Sequence, residues 1–143
     1  MCGCKLKIAL MLIVSLACIS CAKKLSVERG MSSIQLIDRV YFDTADAKVG
    51  KDQNYIIENN AKWMMKNPND FLILEGHCDG RGRSDYNFYL GDRRAREVKA
   101  AMVESGIMPW RMAIVSFGET RPFARGYGEK FWKQNRRVKF VIR

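Results

Sequence analysis

The chain has 143 residues, 25 of them basic and 15 acidic, with a net charge of +10 and 48% hydrophobic residues. That length supports one domain of ordinary size or a small domain plus a tail, and the apolar content suffices for a core, which excludes wholesale disorder. A single histidine and three prolines exclude a His-rich metal cluster and a proline-rich spacer, and Cys2, Cys4, Cys18, Cys21 and Cys78 are not placed as a disulfide scaffold.

Met1 to Lys7 carries two lysines and no acid, and Ile8 to Ser20 is an unbroken apolar run. A membrane-spanning helix needs about 20 apolar residues, so this run is too short to cross and reads as an export signal over residues 1–20. Ile19-Ser20-Cys21 resembles the lipobox of bacterial lipoproteins, in which small residues precede a cysteine that is lipidated and becomes the mature N-terminus. Cys18, after Ser15-Leu16-Ala17, is the alternative lipidation site. With Cys21 acylated, Cys78 has no partner, so stability is expected from the core and not from a disulfide. Several acyl chains, at about 0.8 kcal/mol per buried methylene, make an anchor that hardly releases. Ala22 after the cysteine, where an aspartate would retain the protein, implies outer-membrane sorting under the enterobacterial rule.

Residues 21–38 have weak periodicity and read as a short lipidated tether, which leaves a domain over 39–143. Val40-Tyr-Phe is a β-rich run ending at Asp43. Ile56, Ile57, Asn60, Ala61, Met64 and Met65 recur at helical spacing and predict one buried helix face, stopped at Asn67-Pro68. Phe71-Leu-Ile-Leu predicts a buried strand that runs into a polar, Gly-rich loop at Gly76–Gly82. The next helix has two possible starts. Ser84 could cap it, but Gly91 would then lie inside at a cost of about 1 kcal/mol. The spacing therefore predicts an irregular turn over Ser84–Leu90, a helix opening at Gly91 with Asp92 in its first turn, and an end at Ser105-Gly106. Ala113–Phe117 is a third strand, Arg121–Trp132 a loop with one helical turn, and Val138–Ile142 a final strand. The order β-α-β-α-β-(short α)-β predicts an α+β fold, a two-layer sandwich of helices on a mixed four-stranded sheet.

No catalytic constellation is visible: His77 is the only histidine, and Cys78 beside it would point to the opposite face of the strand. No cofactor and no metal are expected. What remains is Asp79 at the end of the second strand and Arg94 near the start of the following helix. Together with free helix N–H groups they could hold a zwitterion, the carboxylate taking an ammonium and the guanidinium a carboxylate. A plain surface salt bridge is the alternative on spacing alone.

The run Gly76-His-Cys-Asp79-Gly-Arg-Gly82, then Tyr86-Asn87-x-x-Leu90-Gly91-x-x-Arg94-Ala95-x-x-Val98, resembles the signature of OmpA-like peptidoglycan-binding domains. It is most similar to their lipid-anchored, wall-associated branch. The flanks agree: Val40-Tyr-Phe-Asp43 opens the region, Ser116-Phe-Gly-Glu119-x-x-Pro122 follows the third strand, and Asn135-Arg-Arg-Val138 precedes the last. The resemblance implies non-covalent binding of the stem peptide of uncrosslinked, diaminopimelate-type peptidoglycan, with no enzymatic activity. It assigns Asp79 and Arg94 to the side-chain end of the diamino acid, and Asn87, Leu90 and Asp43 to lining or bracing the same pocket. Leu90 could equally be core, and Asn87 could only cap the turn. Cys78 stands where the family has threonine and Gly80 often where it has an acid. Thr44-Ala45 replace Phe-Asp, so an aromatic ligand contact there does not carry over.

The resemblance also implies Tol-system periplasmic proteins as partners, over a surface overlapping the pocket, for which an apolar rim including Tyr89 or Trp110 would suit. Arg93, Arg94, Arg96, Lys99, Arg136 and Arg137 with Trp132 raise nucleic acid as a partner. An exported, anchored chain meets wall carboxylates and lipid phosphates instead, and no nucleic-acid function is expected. The sequence thus predicts an outer-membrane lipoprotein facing the periplasm, held to outer-membrane lipid by its acyl anchor.

Overall fold

The spatial order of the strands, not their order in the sequence, decides where the Gly76–Gly82 loop ends up. The computed structural model describes residues 34–143, so the export signal, Cys18, Cys21 and most of the tether lie outside the described residues. Four strands, β1 (Arg39–Tyr41), β2 (Leu72–His77), β3 (Met112–Gly118) and β4 (Arg137–Ile142), form one sheet in the order β1-β4-β2-β3. β2 and β3 are parallel, while β4 runs antiparallel to both β1 and β2, so the sheet is mixed as expected. α1 (Asn54–Lys66) and α2 (Ser84–Glu104) lie over one face, and a short α3 (Glu129–Asn135) precedes β4.

The period-2 pattern of β2 sends Leu72 and Leu74 to the helices, where Val40, Met112, Val138 and Phe140 join them from the other strands. Ile56, Ile57, Ala61 and Met64 of α1 and Ala95, Val98 and Met102 of α2 close the core. Burying each of the larger side chains contributes about 1.5–3 kcal/mol. Met65, expected on the buried face of α1, is 56% exposed. It sits roughly 140° around the helix from Asn60, the middle of the stripe that runs through Ile56, Asn60 and Met64, so it falls past the edge of the core.

A second departure concerns α2. The helix opens at Ser84, not at Gly91, with Arg83 as N-cap and Asp85 as the first-turn acid. Gly91 lies inside it, where the backbone of α2 touches β2: a Cβ on Gly76 would stand 1.9 Å from the Gly91 carbonyl oxygen, and one on Gly91 would stand 2.4 Å from Ser116 Oγ and 3.1 Å from the Gly76 oxygen. Asp92 is therefore a mid-helix residue and pairs with Arg96 one turn on, at 2.6 Å. The C-terminus is as expected. Gly106 takes φ 93°, its N–H donates to Val103 at 2.8 Å, and Ile107 N–H reaches Met102 at 3.1 Å, a Schellman closure. α3 covers Glu129–Asn135, longer and later than the single turn expected within Arg121–Trp132.

The chain is ordered against the core ahead of residue 39. Asn60, fully buried on α1, donates to Ile37 C=O and accepts from Ile37 N–H, both at 2.8 Å, while Leu36 and Ile37 pack on the core. A buried amide would be costly unpaired, and the approach segment pairs it.

The other face of the sheet carries His77. Its ring stacks on Phe117 with centroids 5.5 Å apart, and neither ring nitrogen has a hydrogen-bond partner among the described residues. Burial, then the nearby Arg137, Lys139 and Arg121, push its pKa down to about 3, so the ring is neutral and Glu75, 3.7 Å away, forms no ion pair with it. The unfolded chain binds this proton near pH 6.5 and the folded chain only near pH 3, so stability falls as pH drops through that window. Between pH 7 and 5 the wild type is expected to lose up to about 2 kcal/mol more than His77→Phe, measured by urea unfolding at both pH values.

Candidate functional site

β2 ends at His77, and the next two residues run off the end of the sheet, held by a 2.8 Å bond from Cys78 N–H to Gly118 C=O. Gly82 turns the loop with φ 89°, a conformation that favours glycine, and α2 begins two residues later. This hairpin-like passage walls a cavity of about 230 Å³, closed on the far side by Thr44 and Ala45 of the β1–α1 loop and by Arg136. Asp79, Asn87, Leu90 and Arg94 all line it. The side chain of Asp43 does not. It lines a neighbouring cavity of about 420 Å³, and only its carbonyl serves the site, accepting from Arg94 Nη2 at 2.9 Å.

Asp79 is buried and heavily paired. Its Oδ1 accepts from the Arg81 backbone N–H (3.1 Å) and Nε (3.0 Å), and its Oδ2 from Arg81 Nη2 (2.8 Å) and Arg136 Nη1 (3.3 Å). Burial alone would raise this carboxyl, but the Arg81 and Arg136 hydrogen bonds outweigh it and hold the pKa below the usual carboxylate range. Asp79 stays charged at neutral pH.

Arg94 has no exposed surface. Its Nε donates to Asp46 C=O (2.7 Å), Nη1 to His77 C=O (3.1 Å) and Cys78 Sγ (3.4 Å), and Nη2 to Asp43 C=O. The carboxylate and guanidinium expected to face each other thus have other partners: Asp79 is paired by Arg81 and Arg136, and Arg94 by backbone carbonyls. Nor does Arg94 sit in the first turn of α2, because that helix begins at Ser84, so the free N–H groups of the helix start are not beside it.

Asn87 ties the loop down, donating to Arg81 C=O at 2.8 Å, to Asp79 C=O at 3.3 Å and to the Glu119 carboxylate. Leu90 packs with Cys78 and Ala47 in a small apolar cluster under the cavity. The Cys78 thiol donates to Asn87 C=O at 3.2 Å, and burial pushes it up to about 11, so it is a packed thiol and not a nucleophile.

Sequence reading left Arg81 and Arg136 without roles at this site, although both fell within quoted motifs. Arg136 is the wall between the two cavities: Nε bonds Phe42 C=O at 3.0 Å, Nη1 reaches Asp79, and Nη2 pairs with Glu129. Arg81 lies over the Trp132 ring at 4.2 Å. Three arginines and one aspartate are thus among the residues that line the cavity, with Arg94 sealed beneath its surface and Arg136 shared between Asp79 and Glu129.

The chain is similar to proteins described as peptidoglycan-associated lipoproteins. It is 34% identical to that of Rhizobium meliloti over 110 residues, 77% of this chain and 62% of the relative. It is 36% identical to that of Pseudomonas aeruginosa over 107 residues, 75% of this chain and 63% of the relative. The chain thus spans less than two thirds of the length of these relatives. The crystal structure of the peptidoglycan-associated lipoprotein from Burkholderia pseudomallei superposes with a TM-score of 0.75 at 31% identity, covering 80% of this chain and 98% of that one. The profile of the OmpA family matches residues 41–136, from the last residue of β1 to the arginine that braces Asp79, and by that match the chain belongs to the OmpA family.

Proposed function

We infer that the chain is an outer-membrane lipoprotein that binds peptidoglycan without covalent chemistry and so ties the outer membrane to the wall. The diamino acid of an uncrosslinked stem peptide enters the cavity at the end of β2, where Asp79, Arg94, Asn87 and Leu90 receive its side-chain end and the Asp43 carbonyl braces Arg94. Lipidation at Cys21, with Cys18 the alternative, supplies the anchor, and the domain faces the periplasm. The observation that carries this reading is the cavity at the end of β2, lined by the buried Asp79 carboxylate that Arg81 and Arg136 hold and by Asn87, Leu90 and Arg94 of α2. The names of the relatives and of the Burkholderia structure support peptidoglycan as the partner. The role is binding alone: the thiol of Cys78 is locked and His77 faces the other side of the sheet.

Purified sacculi incubated with the full chain in detergent test it. The wild type is expected to sediment with the wall, and Asp79→Asn, which keeps the shape and removes the charge, to bind at least about tenfold more weakly, the equivalent of one charge-assisted hydrogen bond. Equal sedimentation of a folded Asp79→Asn would remove the cavity from the wall contact. Muropeptide profiles are expected to be unchanged by incubation.

A Tol-system partner docking over the rim is the second role, favoured by the exposed Tyr86, Phe88 and Tyr89 at the start of α2, of which Tyr86 also lines the cavity. Trp110, 73% exposed, lies instead on the turn before β3. Partner capture competed by soluble wall peptide supports the overlapping surface; capture insensitive to it removes this second role from the rim.

A further inference from the structure

α1 and α2 cover one face of the sheet, and the opposite face holds a charge pattern that the cavity does not use. Register and the period of two place Arg39, Lys139 and Glu75 in one row across it, and Tyr41, Arg137 and His77 in the next. Phe117 of β3 stacks on His77, and Arg121 covers Phe117 at 3.7 Å. Phe123, from the loop after β3, lies under two guanidiniums, Arg39 at 3.9 Å and Arg137 at 5.6 Å. Asp38 pairs with Arg39 at 3.0 Å, but Arg121, Arg137 and Lys139 pair with no carboxylate among the described residues.

Burial makes this crowding costly. His77 and Arg137 are 2% and 5% exposed. Of the five buried side-chain nitrogens without a partner among the described residues, four are here: both ring nitrogens of His77 and Nε of Arg39 and of Arg137. Arg137 and His77 both titrate below their ordinary values, first through burial and then through repulsion, from Arg39 on Arg137 and from Arg137, Lys139 and Arg121 on His77. What the face lacks is negative charge. Val115 and Phe123, 37% and 50% exposed, add apolar surface beside the cations. A second copy of this chain would set like charges against each other, and a saccharide offers hydroxyls in place of anions. A phospholipid surface offers phosphates to the guanidiniums and an apolar edge to the rings. Only about a dozen residues separate Cys21 from Ile34, where the described domain begins, and they span at most about 40 Å, so an anchor at Cys21 keeps the domain close to its membrane.

From this arrangement we propose that the sheet face opposite the helices is a docking surface for anionic phospholipid headgroups, with Arg39, Arg121, Arg137 and Lys139 taking the phosphates and Phe123 lying at headgroup level. The proposal rests on the acyl anchor, which brings the domain to the membrane. None of these side chains lines the cavity at the end of β2, so the domain has one contact for the wall and a separate one for the lipid.

His77 is the only histidine of the chain, so an isotope-labelled imidazole gives one signal, from a ring packed among these cations. The full chain in nonionic detergent is titrated with short-chain phosphatidylglycerol and, separately, with short-chain phosphatidylcholine. The anionic lipid is expected to shift the His77 signal at a concentration at least about tenfold lower than the zwitterionic one, and added salt to erode that preference. The double variant Arg121→Gln, Lys139→Gln removes two cations that hold no carboxylate. It is expected to lose the preference while melting, and sedimenting with sacculi, as the wild type does. Asp79→Asn is expected to keep the preference. If the double variant still prefers phosphatidylglycerol, or the wild type never does, the face is not a lipid surface. An equal shift with glycerol phosphate alone makes it a site for free phosphate, and loss of sacculus binding by the double variant makes it part of the wall contact; either result overturns the proposal. An N-terminal peptide without acyl chains, by mass spectrometry, removes the anchor and with it the membrane as occupant, a failure distinct from that of the titration.

Discussion

Arg94→Ala is expected to lower the melting temperature by at least about 10 °C, corresponding to some 3 kcal/mol, and to abolish wall binding. The side chain joins three stretches of backbone. Asp43 and Asp46 belong to the β1–α1 loop, His77 and Cys78 to the end of β2, and Arg94 itself to α2. Truncation leaves three carbonyls without their donor, that of His77 fully buried and those of Asp43 and Asp46 partly so, and a buried loss of this kind costs about 1–3 kcal/mol. It also leaves a void the size of the longest fully buried side chain in the domain. Arg94→Lys cannot restore the span, because an ammonium lacks the fork that reaches both loops. Asp79→Asn is the contrasting case. Its partner Arg81 faces solvent and Arg136 keeps Glu129, so the melting temperature is expected to move by a few degrees at most while wall binding falls. Thermal melts read beside sedimentation with sacculi, all well below the melting points, separate the two. An Arg94→Ala domain that melts within two or three degrees of the wild type would show that this arginine braces nothing.

The same two residues mark how far the sequence could be read. Hydrophobic period gave the strand and helix order, and the loop motif led to the cavity that Asp79, Asn87, Leu90 and Arg94 share. What spacing could not supply is which charges meet. Asp79 and Arg94 look like a pair because a strand end and a helix start are adjacent in the chain, yet one partner of Asp79 lies two residues on and the other, Arg136, 57 residues away. The buried amide of Asn60 has a like explanation: it pairs with Ile37, 23 residues earlier, in a stretch whose own composition carries no period. Met65 was misplaced because a helical stripe has edges that the core alone defines. Gly91 was misread for a different reason. Its propensity cost is local and visible, whereas the close backbone approach at that point is made with a strand residue fifteen positions back.

That contact sets up the second large effect, a strong loss of stability in Gly76→Ala. The added Cβ would lie 1.9 Å from the Gly91 carbonyl oxygen, 2.6 Å from its carbon and 3.1 Å from its Cα. All three are backbone atoms, so no rotamer change relieves the clash, and α2 must lift from the sheet by about an ångström or more. Overpacking of a well-filled interior costs about 1–3 kcal/mol and occasionally more, and a rigid backbone neighbour puts this case at the upper end. Lifting α2 also carries Asn87, Leu90 and Arg94 away from the loop they hold, so wall binding should weaken even under conditions where the domain remains folded. Gly91→Ala is expected to be much milder. Its Cβ would meet Ser116 Oγ at 2.4 Å, the end of a side chain that can turn aside by giving up its 2.7 Å bond to Phe88 C=O, and the Gly76 oxygen at 3.1 Å. The gain of about 1 kcal/mol from replacing a mid-helix glycine offsets part of that. Local propensity alone gives different effects for the pair: it makes Gly91→Ala stabilising and Gly76→Ala nearly silent. Urea midpoints of the two variants, measured against the wild type, therefore decide whether propensity or the helix–strand crossing governs this position. A Gly76→Ala midpoint equal to that of the wild type would mean that α2 and β2 do not meet backbone to backbone, and with that the placement of Arg94 over the cavity would lose its support.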